Sequence, residues 1–343
     1  MLPIEAALIF AAAASFAVTE PEVKSITAKI FPDLRRVECR TLSRGPNVSL
    51  EATDPTLAAF ANQIVKRLET EQWGELKPMF HPLLKVKDDV GETIAATLRH
   101  KYEKPWQYSV YRTWAIHTVN GDPSSVRCDD GASELITRYG YTLQIGLWLQ
   151  LMAPNEIGRI FVLIVPSEKD WRIGGWHISQ WSHRGKDAEY WAKEAQAAAT
   201  KGEKITAYLK YDLAQKLLDV GGIVNVRAQD EYIAARNAQY MKSDMLASLN
   251  ATLKTTDVVY VGSIFADDGA GLALRERLKE ALPTPDLQRR CIQRGKTLIS
   301  EKVLTSDLGG LRCSYVLPTE SPDHDGEAGG FFYSRKDIQN KTL

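Results

Sequence analysis

The residue in this sequence best suited to proton transfer is His177, in WRIGGWHISQW, because an imidazole titrates near neutral pH and a strand would hold it rigidly. A second imidazole, His81 in MFHPLLK, offers a partner, and Tyr111 a hydrogen-bond donor. Together they would supply an acid, a base and a donor for isomerase, dehydratase or hydrolase chemistry on a small molecule. The plainer role for His177 is that of a core histidine bonded to backbone.

Other chemistries find little to work with. The six histidines are scattered, and His177 with His183 is neither HExxH nor finger spacing, so no metal is expected. There is no GxSxG turn for a serine nucleophile. Asp267-Asp268-Gly269-Ala270-Gly271 lacks both GxGxxG and GK[ST], and its two carboxylates would repel a phosphate; it reads as a helix cap and turn. No cofactor is expected. Four cysteines without CxxC spacing suit disulfides of an exported protein: Cys291 with Cys313 is the preferred pair, leaving Cys39 with Cys128, and four buried thiols are the alternative.

With 43 basic and 43 acidic residues the chain has no formal net charge and no long single-sign run, which argues against nucleic-acid partners. The apolar run Ala6–Val18 suits a secretory signal over residues 1–17, with Ser15 and Ala17 as small residues before the cut, although Glu5 stands where a basic residue is usual. A buried or membrane-associated first helix is the other use for such a run. The signal implies a periplasmic or secreted protein without a stable membrane anchor.

The elements that must position these groups centre on Leu135–Trp181, three strand-like runs separated by two turn clusters. In the first run the odd positions from Tyr139 to Leu151 are apolar, with Thr142, Gln144 and Gln150 on the opposite, wet face. Residues 18–53 lack periodicity and read as a linker or arm. Asp54 and Pro55 then open a helix whose buried stripe is Leu57, Phe60, Ala61, Ile64, Val65 and Leu68. A short proline-broken helix, another near Asp88–Arg99, and the aromatic strand WQYSVYRTWAIHTV complete an α+β unit. Its aromatic residues, Tyr108 and Trp181 among them, would line a cavity for an apolar ligand or simply fill a half-buried sheet. Arg112, Arg138 and Gln144 are candidate polar anchors.

After Trp181 two antiparallel helices turn at Gly202, and a further helix follows over DEYIAARNAQYMKSDMLASL. The remainder reads as strand DVVYVGSIF, helix LALRERLKEAL, then strands TLISEKV, LRCSYVLP and GFFYSR, with residues 318–330 as a projecting loop.

TLAAFANQIVKRLETEQWGELKPMF followed by a meander ending in Trp171, Ile173, His177 and Ser179 resembles the nuclear transport factor 2-like superfamily, with its limonene-cyclase-like and polyketide-cyclase-like branches, over residues 54–182. The resemblance implies a curved antiparallel sheet wrapped into a cone around N-terminal helices, with those four residues inside. Its catalytic relatives carry a carboxylate after the helices, where this chain has His81. The helical pair, with Ala188, Tyr190 and Ala195, then Ala207, Tyr208, Tyr211 and Ala214, resembles one tetratricopeptide unit, too few to make a solenoid. The combination resembles exported bacterial proteins of unassigned role.

The expected organisation is therefore α+β: a signal over 1–17, an arm over 18–53, a cone with packed N-terminal helices over 54–183, a tetratricopeptide-like hairpin over 184–250 and a small C-terminal α+β unit over 251–343. The expected function is binding or scaffolding, of a small apolar ligand in the cone or a protein partner on the hairpin. The missing carboxylate weighs against the enzyme alternative.

Overall fold

The computed structural model describes residues 21–31, 33–44, 54–121, 124–136, 140–167, 170–221, 224–239, 242–266, 269–306, 308–320 and 330–341. The expected signal lies outside them, as do Arg138 and most of the loop over 318–330. The chain forms two compact units: Leu2–Gly185 with Leu218–Ala228, and Lys186–Leu217 with Gln229–Leu343. Both mix helices with mainly antiparallel sheet, so the chain is α+β.

In the N-terminal unit the segment read as an arm holds helix α1 (Pro21–Ile30) and strand β1 (Glu38–Arg44). Helix α2 (Pro55–Glu69) starts as its cap residues dictate, with the Asp54 carboxylate accepting from Leu57 N–H at 2.9 Å. Three 3-10 turns over Trp73–Glu75, Lys77–Met79 and Pro82–Leu84 take the place of the expected short helix, because Pro78 and Pro82 cannot sit inside an α-helix. Helix α3 (Val90–Lys101) and strand β2 (Gln107–His117) follow.

The first run of the meander is two strands rather than one. A short β3 (Ser125–Arg127) pairs with β4 (Ser133–Ile136), whereas β5 (Leu143–Met152), β6 (Ile157–Pro166) and β7 (Trp171–Gln180) join β1 and β2 in a five-stranded sheet of order β1-β2-β5-β6-β7. The returning strand β8 (Val224–Val226) pairs with β4.

Neither face of this sheet is wet. Odd positions of β5 (Leu143, Ile145, Leu147, Leu149, Leu151) pack with Leu57, Ile64 and Leu68 of α2 and Ile94 and Leu98 of α3. Even positions meet a second core of Trp114, Trp148, Phe161, Leu163, Val220 and Val224, so Gln144, expected in solvent, is fully buried. Period-2 alternation marks two faces, and a second layer of chain covers the one that polarity assigned to water. The disulfide Cys39–Cys128 sits in that second core.

In the C-terminal unit, helices α4 (Ala188–Thr200) and α5 (Lys204–Leu218) form the expected hairpin. The next helix is two, α6 (Arg227–Gln239) and α7 (Lys242–Thr252). Strands β9 (Val258–Ala266), β10 (Gly269–Arg277), β11 (Leu308–Val316) and β12 (Gly330–Ser334) make a four-stranded sheet in that order, backed by α8 (Thr284–Ser300) and α9 (Arg335–Asn340).

Two expectations are corrected here. LALRERLKEAL, read as a helix, supplies most of β10: Leu272 and Leu274 alternate into the core and the strand bonds neighbours on both sides. TLISEKV, read as a strand, is the end of α8, whose buried stripe Leu287, Cys291, Ile292, Gly295 and Leu298 has helical spacing. Cys291 of that stripe is bonded to Cys313 of β11. Two disulfides fit an oxidising compartment.

Candidate functional site

The residues singled out for catalysis do not assemble. Opposite Leu163 and Ile164, strand β7 carries one extra residue, Gly174, and this bulge reverses its parity. Trp171 and Ile173 face the helix-covered core before it, and Trp176 and Ile178 after it. His177 therefore lies opposite Phe161 of the second core, not alongside Ile173 as the WxIxxxHxS spacing implies. A glycine is required above it: a Cβ on Gly221, itself at φ +63°, would stand 2.7 Å from His177 Nδ1.

His81 is held at the other end of the strand. Its backbone N–H donates to Ile173 O at 2.9 Å, its Nδ1 accepts from Leu83 N–H at 3.3 Å, and its ring meets Tyr141 edge-on. Four residues of strand separate Ile173 from His177, about 13 Å at 3.3 Å per residue, too far for the imidazoles to share a reacting atom. Burial pushes His81 below its usual range, aided by Arg172. Burial pushes His177 down to about 4, with Asp219 opposing and Lys101 and Arg159 assisting.

Because the fold holds His177 neutral, an unfolded chain takes up a proton between pH 6.5 and about 4 that the folded chain refuses. Its contribution to stability is thus present above pH 6.5 and lost as the pH falls towards 4. His177→Gln is expected to flatten the fall of the urea midpoint across that window. Parallel profiles for the two proteins would contradict the assignment.

Tyr111, the third catalytic candidate, is the bulge residue of β2 and joins an aromatic nest, with ring centroids 5.5 Å from Trp148 and 4.6 Å from Trp181. Arg159, buried with its guanidinium 4.7 Å from the Trp148 centroid, donates to Ser179 Oγ and Asp219 O and fills that nest from within. The ligand-binding candidate Trp181 is part of this packing. Tyr108 is buried in the helix-covered core, where desolvation raises its phenol well above the ordinary range.

An open groove occurs elsewhere, at the helix-covered side of the N-terminal unit. Its volume is about 520 Å³. One wall is a single face of α2: Thr56, Ala59, Phe60, Gln63 and Arg67 recur every three to four residues beside the buried stripe. The facing wall is Pro166 and Ser167 of the β6–β7 connection with Asp170, Trp171 and Arg172; Glu75, Pro78 and Met79 close one end.

Most polar groups of the walls are satisfied locally. Trp171 Nε1 donates to Thr56 Oγ1 at 2.9 Å, and Arg172 donates to Pro78 O at 2.9 Å and to Asp170 at 3.1 Å. Arg67 differs. Its Nη2 lies 3.4 Å from Glu75 Oε2, and its shielded Nε has no hydrogen-bond partner among the described residues. A smaller apolar cavity of about 80 Å³ lies between α3 and β7, bordered by Trp176, His177 and Ile178, so the candidate His177 touches it although its strand position faces Phe161.

Sequence reasoning missed this groove because it assigned Phe60 to the buried stripe. Phe60 is only half-buried, and the signal was present one turn on, where Gln63 and Arg67 share its face. Among the described residues no group of three His, Cys, Asp or Glu is placed to hold a metal, and no helix is long and apolar enough to cross a membrane. No protein-family model, curated protein or solved structure matches the chain.

Proposed function

We propose that the protein is an exported, periplasmic or secreted binding protein without catalytic activity, whose N-terminal unit takes a small amphiphilic molecule in the groove beside α2. The observation that carries this reading is the groove itself: about 520 Å³, within the range of roughly 300–1,000 Å³ typical of ligand sites, with Phe60 and Trp171 as apolar surface and polar and charged side chains making up about half of its lining. We read the five-stranded sheet and its helices as a nuclear-transport-factor-2-like cone, supported by the order of α2, α3 and the β5–β7 meander. In this reading the cone's interior is packed by its own side chains and the ligand sits at its helical flank.

A protein-docking role for the α4–α5 hairpin has less support. Nine consecutive residues of α5, Thr206–Ala214, are buried, which leaves no open face on that helix.

Filling the groove tests the proposal. Ala59 is exposed on its wall, so Ala59→Trp adds bulk without entering the core. The fluorescent amphiphile anilinonaphthalene sulfonate is expected to brighten with the native protein and to lose most of that signal with Ala59→Trp. Equal brightening of both proteins would overturn the proposal.

A further inference from the structure

We infer that the groove selects a carboxylate head group on an apolar stem, received by Arg67, with Glu75 as the built-in stand-in that the ligand displaces; this rests on the groove being the binding site. A guanidinium presents its Nε and Nη2 donors as a fork that matches the two oxygens of one carboxylate. In Arg67 that fork is half used: Glu75 approaches Nη2 at 3.4 Å, and Nε has no partner among the described residues. The Glu75 side chain is 55% exposed, against 24% for Arg67, so it swings into water at little cost. A ligand carboxylate taking its place would engage both donors, with Gln63 one turn away on the same wall.

The rest of the groove selects the stem. From Arg67 the α2 face runs eleven residues back to Thr56, about 16 Å at 1.5 Å per residue. Between these ends Ala59 and Phe60 offer apolar surface, with the edge of Trp171 across from them. The second cation, Arg172, already has Pro78 O and Asp170 as partners, which leaves Arg67 as the better receptor for the head group. An extended peptide is a poorer occupant, because the wall includes Pro78 and Pro166, which have no N–H to donate to a peptide backbone. A single anionic head on a stem of about ten carbons fits both features.

Calorimetric titration with decanoate and with 1-decanol tests this. Decanoate is expected to bind the native protein more tightly than 1-decanol. Arg67→Met should weaken decanoate at least about tenfold, in line with hydrogen bonds to a charged group. Arg67→Lys, which keeps the charge but not the fork, should fall between, and Glu75→Gln should tighten decanoate by up to about fivefold by removing the competitor. None of the three changes should alter 1-decanol binding, and unchanged melting temperatures would show the variants folded. Equal affinities for acid and alcohol, or decanoate binding indifferent to Arg67→Met, would overturn the carboxylate assignment while leaving the groove in place. Decanoate binding that survives Ala59→Trp would overturn the groove as well, and absence of decanoate binding would overturn the inference.

Discussion

Glu276→Ala is expected to destabilise the C-terminal unit by about 3–5 kcal/mol, the cost of leaving buried charge uncompensated. Glu276 lies on β10 with 1% of its side chain exposed. It accepts from Arg290 Nε at 2.7 Å and from Arg294 Nε at 2.9 Å, both on α8. Arg290 also reaches Asp257 at 2.7 Å, so removing Glu276 leaves Arg294 without a carboxylate among the described residues and beside another guanidinium. Urea unfolding followed by circular dichroism measures the loss. Replacing Glu276, Arg290 and Arg294 together by methionine should recover much of it, because an apolar trio needs no charge balance. A single substitution costing under about 1 kcal/mol, the range of an exposed pair, would contradict the buried network.

Gly91→Ala should also be severe, although alanine is the better helix former by about 1 kcal/mol. A Cβ at position 91 would stand 1.9 Å from the Trp73 carbonyl oxygen, and the obstacle is backbone, so α3 or the Trp73 turn must move. Trp73 is a buried member of the helix-covered core and meets Trp106 edge-on, so the movement would spread. A net loss of about 2 kcal/mol or more is expected, by thermal unfolding. Gly74→Ala, where nothing stands within 4 Å, is the matched control and should be near neutral. Similar effects at both positions would argue against the close approach.

How much of this was legible in the sequence depends on what each signal measures. The Asp54-Pro55 helix start, the second and third strands of the meander, the later part of the first and the α4–α5 hairpin follow from local chemistry, caps, turns and periodicity, and appear where expected. β10 was misread because Leu274, Leu278 and Leu282 recur at the helical spacing of four while Leu272 and Leu274 also fit a strand's alternation, and only the pairing with β9 and β11 decides. The parity of position 177 relative to Ile173 was not legible for a different reason. A bulge of one residue at Gly174 reverses the facing of everything after it, and a glycine pair in a strand hints at a bulge without fixing its register. Gln144 went to the wrong environment because no local pattern shows that residues 220 and 224 return to cover its face. The groove was the hardest to see, since its walls come from stretches nearly a hundred residues apart, α2 and the β6–β7 connection.

The most direct measurement is the native mass of the protein after purification without detergent, beside that of Ala59→Trp. The native protein is expected to carry one added small molecule, released on denaturation, and the filled groove to carry none. The same added mass on both proteins, or none on the native protein together with no brightening of the fluorescent amphiphile, would contradict a ligand-binding groove at α2.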